Sequence, residues 1–310
     1  MAQEASNGAL SRTSSNRNRA YRGLCELAEN VHLPMRSSTH CMDTAGRWPG
    51  MPVRSVLQLG GRRLCYLDYG GPGRPLLALH GHFGEGRTFA RLATALTPTW
   101  RLISPDQRGH GDSDRTKDYS RTGYVEDMRA LLDHLRFDTI PVLGHSLGGV
   151  NAYQLAAAHP DRVSALVIED IGAVVDSNLS FALDWPNRAV SREALIANLG
   201  RLAPYLVDAF RSFPDGWGMA FSTADMVISQ RALNGDHWAD WLATDCPALV
   251  LRGSRSATLS AEHAAAMVSR RPHTSFVELT AGHVIHDDQP GAFAAAVRVF
   301  LNTVVTDASH

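Results

Sequence analysis

The chemistry most readily written on this chain needs a hydroxyl nucleophile, a base for its proton and donors for the negative charge that forms. Gly144-x-Ser146-x-Gly148 has the spacing of a nucleophile elbow. Such a turn exposes the serine hydroxyl, and glycine two positions to either side avoids a steric clash. A serine placed there starts a helix, whose free backbone N–H groups favour developing negative charge. A hydroxyl stays a weak nucleophile until a base takes its proton. His283, in Ala281-Gly282-His283, is the candidate base, because histidine is the side chain that ordinarily titrates near neutral pH. His286 competes for that role, but Asp287, Asp288 and Pro290 around it read as a surface turn before a helix. Acyl transfer also needs N–H donors aimed at an oxyanion. The backbone amides of His82, in His80-Gly81-His82-Phe83-Gly84, and of Leu147 are assigned to it. No Cys or carboxylate lies at matching spacing to His80 and His82, so no metal site is expected.

The elements that must hold these residues follow from hydrophobic periodicity. Strand-like runs alternate with helical patterns from residue 51 onward, the signature of a mostly parallel sheet with helices on both faces. Residues 53–59 and 63–69 read as an opening hairpin with Gly60-Gly61 at its turn. The runs at 75–80, 101–105, 140–143, 163–168, 248–252 and 274–279 read as further strands, about eight in all. Val125, Met128, Leu131, Leu132 and Leu135 recur at helical spacing. Residues 173–237 interrupt the alternation with prolines and many aromatics, and read as a helical lid inserted after the sixth strand. Ser146 then sits at a strand-to-helix turn and His283 just after the last strand. Both lie at the carboxyl edge of the sheet, where open α/β sheets place their sites.

With these motifs in view, the chain resembles the α/β-hydrolase superfamily, in the lidded branch that includes bacterial esterases, C–C bond hydrolases and haloperoxidase-like enzymes. The resemblance covers about residues 53–303. It rests on His80-Gly81-His82, the segment Asp106-Gln107-Arg108-Gly109-His110-Gly111-Asp112-Ser113, Gly144-His145-Ser146-Leu147-Gly148-Gly149, and Gly282-His283 before Pro290. The Asp106 segment looks like the superfamily's turn after the fourth strand, with a structural role for Arg108. Serine in the elbow excludes the members with an aspartate nucleophile, namely haloalkane dehalogenases and epoxide hydrolases. One element departs from the pattern. The acid that orients the histidine usually follows the seventh strand, yet no Asp or Glu occurs between Asp245 and Glu262. Glu169-Asp170, at the end of the sixth strand, supplies a carboxylate where some members place theirs. Strand alternation turns only one of the two toward His283. Asp170 is the first choice and Glu169 the second. Phe83, His145, Trp185 and Trp217 are the candidate pocket residues, and the aromatic insertion implies a small-molecule substrate with an apolar group.

Bulk properties set the remaining bounds. The 310 residues are 44% hydrophobic and 20% charged, enough for one α/β domain over residues 51–310. A formal net charge of -1 gives no basic field for nucleic acid or an anionic membrane, and no apolar run approaches the roughly 18 residues of a membrane span. Cys25, Cys41, Cys65 and Cys246 form no CxxC pair and read as free thiols in a cytoplasmic protein. Residues 1–50, rich in Ser, Asn and Arg, read as a poorly ordered tail or as sequence upstream of a true start at Met51. No cofactor is implied, and the oligomeric state is left open. The expected activity is hydrolysis of a carboxylic ester through an acyl-enzyme. The alternatives are C–C bond, thioester or lactone hydrolysis on the same residues, or a weakly active ligand-binding protein of this fold.

Overall fold

Turn chemistry starts the sheet. Gly60 and Gly61 take φ values of 53° and 91°, which side-chain-bearing residues rarely adopt, and fold the first strand back on the second with Leu59 opposite Arg62. The computed structural model describes residues 52–307, so the tail expected at 1–50 lies outside the described residues. Eight strands form the sheet: β1 (Val53–Leu59), β2 (Arg62–Asp68), β3 (Arg74–Leu79), β4 (Trp100–Pro105), β5 (Ile140–His145), β6 (Val163–Glu169), β7 (Ala248–Gly253) and β8 (Thr274–Leu279). Their order is β1-β2-β4-β3-β5-β6-β7-β8, antiparallel where β2 meets its neighbours and parallel from β4 onward. The principal helices are α1 (Ala90–Leu96), α2 (Arg121–Leu135), α3 (Leu147–Ala158), α4 (Arg192–Leu199), α5 (Thr223–Leu233), α6 (Ala261–Arg270) and α7 (Pro290–Asp307). This is the expected α/β architecture.

Strand alternation divides the core into two layers. Leu77 and Leu79 of β3, with Leu166 and Ile168 of β6, pack under α2, α3 and α6. Leu76, Ala78, Ala165 and Val167 face the opposite way, under α1 and α7. Strands buried on both faces must be apolar throughout, since an unpaired polar group in their interior costs about 1–3 kcal/mol. Polar chemistry is therefore confined to the strand ends.

The turn between β5 and α3 is the tightest of these ends. Ser146 has φ 52° and ψ -117°, a conformation that costs a non-glycine residue about 1–3 kcal/mol and that its surroundings must hold. They do so by leaving no room. A Cβ on Gly144 would lie 2.1 Å from the Gly148 carbonyl oxygen, and one on Gly148 would lie 2.0 Å from that of Leu79. The Ser146 amide also donates to the Glu169 carbonyl at 3.0 Å, which ties the turn to the end of β6.

Between β6 and β7 the chain leaves the sheet. Val174–Val175 and Gly235–Asp236 pair antiparallel at the neck of this insertion. Serines at 191 and 222 cap α4 and α5 by accepting from the first-turn amides of Ala194 and Asp225. The insertion also contains a β-hairpin, Phe210–Phe213 with Gly216–Met219, which helical periodicity does not reveal. Its own apolar cluster includes Leu195, Leu199, Leu206 and Phe210. No helix among the described residues is long and apolar enough to cross a membrane.

The elbow geometry predicts a specific intolerance. Gly148→Ala drives a methyl group into the backbone of β3 and costs on the order of 1–3 kcal/mol or more. Thermal unfolding reads this as a Tm lower by at least about 2 °C. Gly291→Ala, in the first turn of α7 with nothing within 4 Å of the added Cβ, leaves Tm unchanged or slightly raised.

Candidate active site

Strand parity decides the fate of the two adjacent carboxylates. Glu169, the last residue of β6, continues the row of Ala165 and Val167 and turns toward the α1/α7 layer. Asp170 breaks from the strand at φ 52° and turns elsewhere. There its Oδ2 accepts from His283 Nδ1 at 2.8 Å and from the Ser256 hydroxyl, and its Oδ1 accepts from the Gly253 amide at 2.9 Å. The Asp170 side chain is wholly buried, whereas the His283 ring is 34% exposed. The carboxylate thus joins β6, the loop after β7 and the loop after β8.

The His283 loop is fastened from several sides. His145 donates from Nε2 to the His283 carbonyl at 3.0 Å, and the two rings lie 4.7 Å apart. Burial, with the neighbouring His283 and His286 opposing a second charge, pushes His145 down to about 3, so it is a neutral donor. The Gly282 amide donates to Asp288 Oδ2 at 2.6 Å. At the far end, the His286 amide donates to Glu169 Oε1 at 2.9 Å, and its Nδ1 lies 2.8 Å from both carboxylate oxygens. His286 was expected in a surface turn. It is buried instead, against Phe89 and Phe293, because Glu169 gives it a carboxylate beneath the surface. Desolvation opposes charge on both groups, yet their mutual attraction prevails: Glu169 is lowered and His286 raised from their ordinary values.

Ser146, His145 and His283 open onto one cavity of about 370 Å³, together with His82 and Phe83. No hydrogen bond joins the Ser146 and His283 side chains; they meet only by facing the same space. Leu147 opens α3, so its amide belongs to the helix-terminal donors that no intrahelical carbonyl can satisfy. A Cβ on Gly81 would lie 3.1 Å from that of Ser146, which brings the loop after β3 against the elbow. Beneath it, His80 Nε2 accepts from the Gln107 amide at 2.9 Å. Arg108 is buried in ion pairs with Asp118 and Asp127, each at 2.9 Å.

A family model described as the alpha/beta hydrolase fold matches residues 74–290. The chain belongs to the α/β-hydrolase fold family. It is 28% identical over 287 residues to a 3-hydroxybutyrate-oligomer hydrolase of Cupriavidus necator, covering 80% of this chain and 96% of that one. It is 30% identical over 246 residues to the lipase LipV of Mycobacterium tuberculosis, covering 74% and 93%. Among solved structures, E-2-(acetamidomethylene)succinate hydrolase superposes with a TM-score of 0.67 at 23% identity, over 81% of this chain and all 100% of that one.

In this α/β hydrolase the insertion forms the apolar side of the cavity, through residues such as Val175, Leu179, Trp185 and Leu206. Trp217 does not line it. That ring packs within the insertion's own cluster, where its backbone pairs with Ala189 at 2.7 and 2.8 Å. Ion pairs fasten the insertion to the core: Arg211 to Glu85 at 2.6 Å, and Arg115 to Asp225 at 2.6 Å. Burial, aided by the charge of Asp106, raises Glu85 to about 7. Sequence reasoning missed Ser256 as a donor to Asp170, although its place after β7 was a signal. It also missed the burial of His286, and the partners of the His82 side chain, for which no local signal exists.

The two carboxylates separate by experiment. In Asp170→Asn the oxygen keeps the Gly253 amide and an NH2 replaces Oδ2, so His283 Nδ1 loses its acceptor; a role for this pair in turnover predicts a kcat lower by about 10⁴-fold. Glu169→Gln leaves His286 buried without its counter-charge and costs about 3–5 kcal/mol of stability. The sign of the pH dependence is set by both shifts. His286, raised, contributes fully below its ordinary 6.5, and Glu169, lowered, contributes fully above its ordinary 4.5. The Tm deficit of Glu169→Gln is therefore largest between those values and shrinks as pH rises further.

Proposed function

We propose that this protein is a serine hydrolase that cleaves a carboxylic ester bearing an apolar acyl or alcohol group. Ser146 is the nucleophile, His283 the general base and Asp170 the acid that orients it. The observation that carries this reading is the 2.8 Å hydrogen bond from His283 to the buried Asp170, at a cavity that also holds the strained Ser146.

The chemistry runs in two halves. Ser146 Oγ attacks the carbonyl carbon as its proton passes to His283 Nε2, and the carbonyl oxygen becomes an oxyanion held by the His82 and Leu147 amides. Asp170 stabilises the imidazolium without taking its proton. Collapse breaks the ester C–O bond, and His283 returns the proton to the leaving alcohol. A water molecule then gives its proton to His283 and attacks the acyl-enzyme, releasing the acid and restoring Ser146. The insertion acts as a lid whose apolar lining selects the substrate. The relatives named as a 3-hydroxybutyrate-oligomer hydrolase and a lipase support the ester reading.

A fluorophosphonate probe is expected to label the protein once, and Ser146→Ala to abolish both labelling and turnover. On a panel of p-nitrophenyl esters, thioesters and lactones, esters with apolar acyl groups give the highest kcat/KM. Preference for thioesters or lactones by an order of magnitude would move the reading to those bonds. A folded protein that resists the probe would make it a ligand-binding member of the fold.

A further inference from the structure

The side chain of His82 leaves the cavity wall and enters a buried chain of hydroxyls. Its Nε2 lies 2.8 Å from Ser229 Oγ, and Ser229 Oγ lies 2.8 Å from the Tyr124 hydroxyl. Ser229 belongs to α5 of the insertion and Tyr124 to α2 of the core, and both are wholly buried. Three separate elements therefore meet at one serine oxygen.

The direction of the chain can be derived. Burial raises the Tyr124 phenol to about 12, so it keeps its proton, and that proton needs an acceptor. Ser229 is its hydrogen-bond partner among the described residues. Burial, reinforced by the charges of His110 and Arg121, holds His82 well below the ordinary imidazole range, so its ring is neutral. Tyr124 then donates to Ser229, and Ser229 donates to a bare Nε2 of His82. With the order reversed a buried phenolic proton, or with both neighbours donating to Ser229 the seryl proton, has no acceptor among the described residues, at a cost of about 1–3 kcal/mol. His82 is accordingly the tautomer with its proton on Nδ1.

The loop after β3 needs this support. One backbone hydrogen bond, from Gly84 to the Gly81 carbonyl at 3.2 Å, closes it, and Phe83 holds a strained φ of 68°. The Phe83 ring rests on Trp185 at 5.0 Å and Phe221 at 5.3 Å, both from the insertion. Both side chains at the centre of the loop are thus anchored on the lid. We propose that Ser229 and Tyr124 are positioning residues that hold the oxyanion loop through the His82 ring, so that seating of the lid and assembly of the oxyanion site are one event. The proposal rests on the serine-hydrolase reading above.

The test compares Ser229→Ala, Tyr124→Phe and Ser229→Thr with the parent, using a p-nitrophenyl ester, the rate of fluorophosphonate labelling, Tm, and the ¹⁵N resonances of His82. Misplaced oxyanion donors lower kcat and labelling rate together, by about 10- to 100-fold for Ser229→Ala, with KM within about twofold. Tyr124→Phe shows a smaller loss of the same kind, and Ser229→Thr restores most of the rate. In the parent, His82 carries its proton on Nδ1, and Ser229→Ala mixes the tautomers. The proposal is overturned if the folded Ala and Phe variants keep kcat within about twofold of the parent. It is also overturned if the loss of rate comes with a comparable rise in KM and a matching fall in Tm, or if the parent His82 is protonated on Nε2. Should Ser229→Ala not fold, Tyr124→Phe decides. A parent that neither turns over the ester nor labels overturns the serine-hydrolase reading, whatever the His82 tautomer.

Discussion

A carboxylate taken out of water must be surrounded by donors, and the buried Asp170 has three: the Gly253 amide, the Ser256 hydroxyl and His283 Nδ1. Removing any one leaves a buried charge short of a partner, so the loops after β7 and β8 are held to the end of β6 by the same demand. The position of His283 over the cavity follows from it. So does the absence of an acid after β7: with Asp170 occupying that corner of the site, the loop needs a hydroxyl to donate rather than a second carboxylate to repel.

Its neighbour Glu169 shows how one step along a strand separates two roles. The α1/α7 layer receives Glu169, where it pairs with His286 among Phe89 and Phe293 and fixes the far end of the His283 loop. Two acid–histidine pairs lie side by side at the cavity, with the His283 ring part-exposed and the His286 ring buried in its wall. The buried pair sets the path of the chain, and the more exposed one is the pair proposed to exchange a proton with a substrate.

Much of this was legible in the residues themselves. The elbow could be read because its glycines are required by contacts under 2.5 Å, a constraint that leaves a fixed spacing in sequence. The strands could be read because burial on both faces demands apolar runs. That one of Glu169 and Asp170 faces His283 could be argued from alternation, and Asp170 from its place nearer the carboxyl end of the strand. What stayed hidden depends on contacts between distant segments. His286 looks like a surface residue among Asp287, Asp288 and Pro290 until Glu169, 117 positions away, is brought beneath it. Ser229 carries no motif and lies 147 positions from His82. The hairpin in the insertion is short, and its alternation is lost among helical neighbours.

Whether Ser146 and His283 meet over a substrate can be seen in a crystal structure of the protein inhibited by a small phosphonate ester. The expected adduct has phosphorus bonded to Ser146 Oγ, a phosphonyl oxygen accepting from the His82 and Leu147 amides, and His283 Nε2 within hydrogen-bonding distance while Nδ1 stays on Asp170. Phosphorus on another residue, or an imidazole turned away from the adduct with Asp170 still held by Ser256 and Gly253, would contradict it.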